Sequence, residues 1–420
     1  MEVWLVGRNF ITKIRINNVR HLNNIEIPLS EDKLRHLILT GKNGSGKTSV
    51  LEALRLYLVA KLEDDYVVSR VREKLRDNPL KEQFEADVSA STQFFLEYGD
   101  TRKTITDCSG VDVSFSNDIN GKVSEKFLFA YYQAEREYSV KNEKGVEKVN
   151  FKNHYGAYEF PGENFVKYIK QLKSQSALYW QENNQTRSEE ILSRLDNFAN
   201  ILRRIYGNEQ LELCLNVEDM VIQIKHPGKL PFAFDGLSSG YAAVLYIVID
   251  LMMRMEKSAG GRYDMEGVVL IDEVDAHLHL SMQKNILPLL TWMFPNIQFI
   301  VTTHSPFVLN SVSDAVVYDL GNNQRIDTAE GLSNLPYSGI VEGYFGASEL
   351  SDKLKRKFER YKELSRQSSF SADDYEELGD LESYLDEIPD FLALNIVADY
   401  QQIKSELEQR EGAKDTHGEM

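Results

Sequence analysis

The sequence has few cysteines and no long hydrophobic run. Two of its 420 residues are cysteines, Cys108 and Cys214, and their wide separation fits neither a metal site nor a disulfide framework. No stretch of about eighteen apolar residues occurs. The N-terminus also lacks a basic segment followed by an apolar core and a small-residue cleavage site. Together these absences predict a cytoplasmic protein with no membrane association.

The sequence is also short of positive charge. It contains 48 Lys and Arg against 65 Asp and Glu, a net charge of −17. A protein that coats nucleic acid needs a broad basic surface to displace counterions, so the charge argues against that class. Contact with nucleic acid would require a small basic patch, a cleft between two subunits, or a partner subunit. The 42% hydrophobic content is that of an ordinary folded protein.

A glycine-rich stretch at residues 41–48 is the strongest motif. It follows an apolar run at 37–40 and precedes a helical pattern at 49–54, so a strand, a turn and a helix start occur in order. Glycines let the main chain approach a ligand closely, and the new helix points its positive end at phosphate groups. This context predicts a phosphate-binding loop.

The predicted loop would hold a nucleoside triphosphate and Mg²⁺. The Lys47 side chain should reach the β- and γ-phosphates, and the Thr48 hydroxyl should take one Mg²⁺ position. The residues predicted to bind the nucleotide are Gly41, Asn43, Gly44, Ser45, Gly46, Lys47 and Thr48.

Two apolar runs in the second half of the chain end in polar residues. The run at 267–271 reads as a buried parallel strand and is followed by Asp272 and Glu273, while the run at 297–301 is followed closely by His304. Asp272, at the carboxyl end of its strand, is placed to hold Mg²⁺ through water. Glu273 can orient or deprotonate an attacking water molecule.

The order of the motifs resembles that of ATP-binding-cassette (ABC) ATPases. The phosphate loop is followed by Gln133, by the segment 237–240, by the acidic pair and by His304. Within that class the chain is similar to the soluble branch that contains SMC heads, RecF and the OLD (overcoming lysogenisation defect) ATPases. Residues 272–279 and 302–309 are most similar to the OLD-like group. The resemblance covers about residues 10–55 and 230–312.

The resemblance implies an α/β fold, a P-loop ABC-ATPase head with a mainly parallel core sheet. Alternating residues at 10–28 predict an N-terminal antiparallel β-element. A helical period over 164–206 predicts a helical or lid insertion at about 135–210. We expect the ATPase domain to span 1–340 and a helical, acidic region to span 341–420.

The resemblance also implies roles for two further positions. His304 would sense the γ-phosphate, with a purely structural histidine as the alternative. Gln133 would contact Mg²⁺, although Arg136 could equally be the functional residue of that segment.

The resemblance further implies that the segment 237–240 is the family's signature motif, which acts on a second subunit. In the family this signature caps the γ-phosphate bound by the opposite subunit, using a helix N-terminus and serine hydroxyls. The chain has one phosphate loop and one signature, so the predicted assembly is a head-to-tail homodimer with two composite ATP sites, alone or within a larger oligomer. The signature residues are Ser238, Ser239 and Gly240.

The sequence departs from the OLD-like group at several points. Leu280 stands where that group usually has a proline. Many of those proteins carry a C-terminal Toprim nuclease, but the residues after His304 show no convincing set of metal-binding carboxylates. Arg410 and His417 have the spacing of an Arg-x₆-His ribonuclease motif, yet their glycine-containing terminus makes them a weak candidate.

Together these features predict a Mg²⁺-dependent ATPase that dimerises on ATP. By resemblance to the ATPases of Septu and retron systems, it would be the sensor or regulator of a separately encoded nuclease in bacterial anti-phage defence. The acidic tail, residues 340–410, is a candidate docking segment for that effector.

The alternative is a RecF-like repair protein whose ATP-driven dimer binds DNA directly. A transport ATPase subunit is a third option that lacks support, because the signature is not Ser-Gly-Gly-Gln.

Overall fold

The computed structural model divides the chain into two compact units, residues 1–334 and 335–420. Arg410, His417 and the expected domain boundary near residue 340 lie outside the residues that the structure describes. The described residues are 8–63, 68, 101–117, 127–136, 145–157, 159–216, 218–219, 221–258, 262–327, 352–367, 370–386, 400 and 402–407.

Strands and helices alternate along much of the first unit. The strands are β1 (Ile11–Val19), β2 (Leu22–Pro28), β3 (His36–Thr40), β4 (Val111–Phe115), β5 (Phe127–Tyr132), β6 (Glu212–Asn216), β7 (Val221–Lys225), β8 (Phe232–Ala233), β9 (Glu266–Ile271), β10 (Ile297–Thr302), β11 (Ala315–Asp319) and β12 (Gln324–Asp327). The helices are α1 (Lys47–Leu62), α2 (Thr101–Ser109), α3 (Phe165–Gln181), α4 (Gln185–Tyr206), α5 (Ser239–Met255), α6 (Leu280–Met293) and α7 (Pro306–Leu309), followed in the second unit by α8 (Asp352–Ser365) and α9 (Ala372–Asp386).

A mainly parallel sheet forms the centre of the first unit. Its strand order among the described residues is β12-β11-β3-β10-β9-β5, and every pairing is parallel except that of β11 with β12. Each residue of β3, β10 and β11 is buried. Continuous apolar strands of this kind are typical of parallel sheets covered on both faces. On one face, Leu51 and Leu54 of α1 join the same hydrophobic core as Val268 and Leu270 of β9.

An antiparallel sheet of order β2-β1-β4 packs beside the central sheet. The buried Gln298 of β10 joins the two sheets through its amide group. Its Oε1 accepts a hydrogen bond from the Ile11 N–H at 2.7 Å, and its Nε2 donates to the carbonyl oxygens of Ile11 and Arg35 at 2.9 and 2.7 Å. One buried side chain therefore satisfies backbone groups where the ladders of the two sheets end.

Helices α3 and α4 form an antiparallel hairpin before the small β6-β7-β8 sheet. The turn between them is fixed locally, because the Asn184 side chain accepts a hydrogen bond from the Arg187 N–H and caps α4. Gly207 ends α4 with φ 62°, a conformation that glycine adopts without steric cost. The helical period predicted over 164–206 is thus divided between two helices, with a turn at residues 182–184.

The second unit has its own small core. Helices α8 and α9 bury Tyr361, Leu364, Leu381 and Leu385 against each other. Part of the acidic stretch is neutralised within this unit, since the Arg360 guanidinium donates to both carboxylate oxygens of Glu377 at 2.9 and 2.8 Å. The acidic surface is therefore smaller than the sequence indicates.

The predicted fold class is confirmed. The structure has the mainly parallel core sheet, the N-terminal antiparallel element, a helical hairpin and a helical C-terminal region. In the part of the chain that the structure describes, no helix is long and apolar enough to cross a bilayer.

The buried histidine of β3 predicts a pH dependence of stability. Burial lowers the pKa of His36 from 6.5 to about 4, although Asp314 opposes the shift, and its Nδ1 accepts the Phe299 N–H at 3.1 Å. In the unfolded chain the His36 imidazole binds a proton below about pH 6.5, whereas in the folded chain it stays neutral down to about pH 4. Stability should therefore fall as the pH drops, by about 2 kcal/mol between pH 6.5 and pH 5.

Urea unfolding of the wild type and of His36→Asn checks this expectation. Asparagine keeps an acceptor for the Phe299 N–H but does not titrate, so the wild type should lose more unfolding free energy than the variant as the pH falls. An equal loss in both proteins over this pH range would contradict the assignment.

Candidate active site

The carboxyl ends of the parallel strands bring the segments that the sequence predicts to be functional to one sheet edge. The phosphate loop follows β3, Gln133 follows β5, Asp272 follows β9, and Thr303 follows β10. Asp319 is the last residue of β11. In open α/β sheets this edge is the usual place for a ligand. Segments that are far apart in sequence are therefore neighbours in the fold.

The phosphate loop has the backbone that its glycines predict. Gly44 and Gly46 have φ values of 81° and 93°, which are costly for residues with a Cβ. A Cβ at Gly41 would lie 2.8 Å from Ser45 Oγ and 3.0 Å from Asp319 Oδ1. The Ser45 hydroxyl is buried and has no hydrogen-bond partner among the described residues. Both features fit a loop that wraps an anionic ligand with N–H and O–H donors.

The Lys47 side chain connects this loop to the acidic pair. Its Nζ donates to the carbonyl oxygens of Gly41 and Lys42 at 3.0 and 3.2 Å. Burial lowers the pKa of the Lys47 ammonium, and the negative charges of Glu273 and Asp272 oppose that shift. The cation and the two carboxylates therefore share one electrostatic environment.

Thr48 and Asp272 meet where a divalent cation would bind. The Thr48 hydroxyl donates to Asp272 Oδ1 at 3.3 Å, and the Thr302 hydroxyl donates to the same oxygen at 2.5 Å. A hydroxyl of the phosphate loop, which follows β3, and a carboxylate at the end of β9, with β10 between the two strands, are the donor set that holds Mg²⁺ in P-loop proteins. The oxygen-only chemistry of this pair fits Mg²⁺.

The backbone of Glu273 is held in a left-handed conformation. Its φ is 44°, which is uncommon for a residue other than glycine. The Glu273 N–H donates to Thr302 Oγ1 at 2.7 Å, and the next N–H, of Val274, donates to the Thr302 carbonyl at 3.0 Å. The Glu273 side chain itself is exposed, so this turn presents the carboxylate at the surface of the sheet edge.

Gln133 and Arg136 lie close to the acidic pair but differ in exposure. The Gln133 side chain is exposed. Arg136 is buried, and its guanidinium donates to the carbonyl oxygens of Gln133, Asp272 and Glu273 at 2.9, 2.8 and 2.9 Å. Both residues weighed from the sequence are thus at the site, one facing outward and one beneath it.

His304 lies half-buried beyond β10, near the phosphate loop. Burial and the Lys47 cation lower the pKa of its imidazole, whereas Asp275, Glu273 and Asp272 raise it. The net lowering favours the neutral ring at physiological pH. Nearby, the Thr303 hydroxyl donates to Asp275. His304 is therefore surrounded by the same charges as Lys47.

The signature starts α5 and faces outward. Ser238 and Ser239 are exposed, and the Ser238 side chain does not cap its own helix. Gly240 is buried instead, since a Cβ there would lie 3.0 Å from the His277 carbonyl oxygen. The two hydroxyls are thus available to another molecule, while the glycine packs on the loop that follows Glu273.

A cleft beside the phosphate loop includes residues that the sequence did not single out. The cleft is open to solvent and has a volume of about 460 Å³. One wall is the turn between β1 and β2, and another is the turn after β11. For the wall after β11, the sequence offers only a turn pattern, Gly-Asn-Asn at residues 321–323. The lining residues are His21, Leu22, Asn23, Ile25, Lys42, Asn43, Gly44, Ser45, Leu320, Gly321 and Asn323.

Comparison with known families gives a domain-level result. Residues 111–310 match a family model described as "AAA domain, putative AbiEii toxin, Type IV TA system". The match includes the signature, the acidic pair and His304, while the phosphate loop lies upstream of it and is joined to it by the sheet. The chain carries a P-loop ATPase domain. The predicted membership of the ABC-type P-loop ATPases agrees with this finding.

Several known proteins are similar in sequence to this chain. The Retron Ec83 probable ATPase of Escherichia coli is 34% identical over 34% of this chain and 27% of its own length. The Septu protein PtuA of Bacillus mycoides (strain KBAB4) is 26% identical over 92% of this chain and 52% of its own length. The chain thus spans about half or less of these two relatives. The Retron Vc95 probable ATPase of Vibrio cholerae serotype O1 biovar El Tor is 25% identical over 72% of each chain.

Solved structures with a related shape include SMC head domains. A head bound to the C-terminal winged-helix domain of ScpA covers 77% of this chain and 99% of its own, with 16% identity and a TM-score of 0.40. The SMC head domain of Thermotoga maritima covers 75% of this chain and 97% of its own, with 12% identity and a TM-score of 0.37.

The Thr302 hydroxyl gives a direct test of the site geometry. Thr302→Val keeps the shape of the side chain but removes the donor to Asp272 and the acceptor for the Glu273 N–H. We expect a loss of about 1–3 kcal/mol in unfolding free energy, measured by urea titration, and an ATP hydrolysis rate at least about tenfold lower. Thr302→Ser retains the hydroxyl and should stay close to wild type. Equal behaviour of the two variants would contradict the role of the hydroxyl.

Proposed function

We propose that the ATPase domain binds ATP with Mg²⁺ and hydrolyses it at this sheet edge. The observation that carries the proposal is the meeting of the phosphate loop and the acidic pair, with Thr48 Oγ1 at 3.3 Å from Asp272 Oδ1 and Glu273 within the electrostatic reach of Lys47. The loop that would bind the triphosphate and the carboxylate that would activate water therefore lie at the same sheet edge.

Each side chain has a role that its surroundings support. Thr48 and Asp272 would hold Mg²⁺, with Gln133 as a further candidate ligand, and the bound ion would neutralise charge on the phosphates. Backbone N–H groups of residues 41–48 and the Lys47 ammonium would bind the phosphate oxygens. Glu273, exposed on its turn, would accept a proton from the attacking water.

His304 and the cleft complete the proposed nucleotide site. The lowered pKa of His304 keeps one ring nitrogen unprotonated, so the ring can accept one hydrogen bond and donate another. We assign to it the contact with the γ-phosphate or with the attacking water. The cleft between His21 and Asn323 is large enough to hold the nucleoside part of ATP.

We infer that two copies of the chain sandwich the nucleotide. The exposed hydroxyls of Ser238 and Ser239 stand at the positive end of α5, which suits an anionic group on another molecule. Because the sequence has one phosphate loop and one signature, a head-to-tail dimer would complete both sites. A larger oligomer could be built from such dimers.

We propose that the ATP-driven dimer regulates an effector nuclease carried on a separate chain, in defence against phage. The supporting observation is the likeness to proteins named for Septu and retron systems. The second unit offers a candidate docking surface on α9. Asp373, Glu376 and Asp380 are exposed there at the spacing of one helix face, whereas Glu377 is paired with Arg360. A basic surface on the effector would complement this face.

Glu273→Gln should separate ATP binding from hydrolysis. Glutamine keeps the size of the side chain but cannot accept the proton, so kcat should fall about 100-fold or more. ATP affinity should be retained, and dimers should accumulate in sizing runs with ATP and Mg²⁺. Lys47→Ala is the matched control and should lose both nucleotide binding and ATP-dependent dimers. A Glu273→Gln protein that remains monomeric with bound ATP would refute the sandwich.

Charge reversal on α9 tests the docking surface. The amount of the adjacent reading frame's product that co-purifies should be at least about tenfold lower with the double variant Asp373→Lys/Asp380→Lys than with the wild type. The reason is that like charges would then face each other. Glu189→Lys/Glu190→Lys, on the exposed face of α4, changes the charge equally and should retain the partner. Equal retention by both variants would remove α9 from the interface. Absence of any partner with the wild type would count against the regulatory proposal.

A further inference from the structure

Arg136 is a buried cation whose hydrogen bonds go to main-chain carbonyl groups. It is 7% exposed. One terminal nitrogen donates to the carbonyl oxygens of Gln133 at 2.9 Å and Asp272 at 2.8 Å, and the other donates to that of Glu273 at 2.9 Å. The guanidinium thus ties the segment after β5 to the segment after β9.

The two acceptors in the acidic pair fix the backbone of a single residue. The Asp272 and Glu273 carbonyls belong to the peptide groups on either side of the Glu273 Cα. The N–H groups of the same two peptides donate to Thr302, at 2.7 and 3.0 Å. Two rigid peptide planes held at both edges leave the dihedral angles of Glu273 no freedom. The left-handed φ of 44° is maintained by these four contacts.

Arginine is suited to this task and lysine is not. A planar guanidinium presents several N–H groups in a fixed arrangement, whereas an ammonium is a compact point charge on a flexible stem. Burial lowers the pKa of Arg136, and the charges of Asp272, Asp275 and Glu273 oppose the loss of its proton. A buried cation of this kind is costly unless it is compensated, and here the compensating charges include Asp272 and Glu273, the acidic pair whose backbone Arg136 holds.

We propose that Arg136 is a positioning residue for hydrolysis, which sets the direction of the Glu273 carboxylate by holding both peptide groups beside it. The inference rests on the proposed function, because it assigns to Glu273 the activation of water. Through the Gln133 carbonyl it also links the position of that candidate Mg²⁺ contact to the position of the base. Arg136 touches no reacting atom in this scheme.

The test compares Arg136→Lys with Arg35→Lys. Arg35 is equally buried, at 7% exposure, and its guanidinium donates to the Ala315 carbonyl at the opposite edge of the same sheet. Arg136→Lys should lower kcat for ATP about 30- to 100-fold, since small misplacement of a catalytic group has effects of this order. The dissociation constant of a fluorescent ATP analogue should change less than about threefold. Arg35→Lys should retain kcat after correction for the folded fraction.

Hydrogen exchange of the free protein gives a second readout that does not depend on hydrolysis. In Arg136→Lys the amides of residues 273 and 274 should exchange at least about tenfold faster than in the wild type, and in Arg35→Lys they should not. Retained kcat and retained protection in Arg136→Lys would overturn the inference and leave the proposed function intact. A wild type that binds but does not hydrolyse ATP would overturn the proposed function, and the exchange rates would still decide whether Arg136 holds this turn.

Discussion

The register of the parallel strands is the constraint on which the site depends. Thr302 pairs with Leu39 across β10 and β3, while Val301 pairs with Ile271 across β10 and β9. The hydroxyl of Thr48 reaches a carboxylate 224 residues away because these pairings bring the strand ends level. A slip of one residue moves a strand about 3.3 Å and turns its side chains to the other face. The 3.3 Å contact between Thr48 and Asp272 would not survive it.

The charges gathered at this edge stabilise one another and therefore cannot be treated singly. Lys47 and Arg136 lose hydration on burial, which lowers the pKa of each, and Asp272, Glu273 and Asp275 oppose both shifts. Removing one of the three buried members, Lys47, Arg136 or Asp272, leaves an opposite charge buried without full compensation, which costs more than the interaction itself contributes. Substitutions here should be non-additive. The site thus combines folding stability and chemistry in the same side chains.

The sequence could predict those parts of the site that carry a local pattern. The glycines of residues 41–48 and the acidic pair after an apolar strand have such patterns, and the fold places them together. Thr302 and the turn after β11 were missed because a threonine at a strand end and a short polar turn are common everywhere. The acidic tail, residues 340–410, was predicted as a docking segment from its composition, yet Arg360 and Lys404 pair with Glu377 and Asp386 within it. Such pairings depend on tertiary structure that no local pattern encodes.

The packing of the signature explains why dimer formation and hydrolysis would be coupled. Gly240 has no Cβ, and one would lie 3.0 Å from the His277 carbonyl oxygen and 3.5 Å from Met282 Sδ. The start of α5 therefore rests on the loop that begins at Glu273, only four residues before His277. In the proposed dimer, a nucleotide bound by the partner subunit would press on Ser238 and Ser239. The close contact at Gly240 would then transmit the displacement to the turn that contains Glu273. Because packed interiors deform little, the opposite site would respond to the nucleotide without any large rearrangement of the sheet.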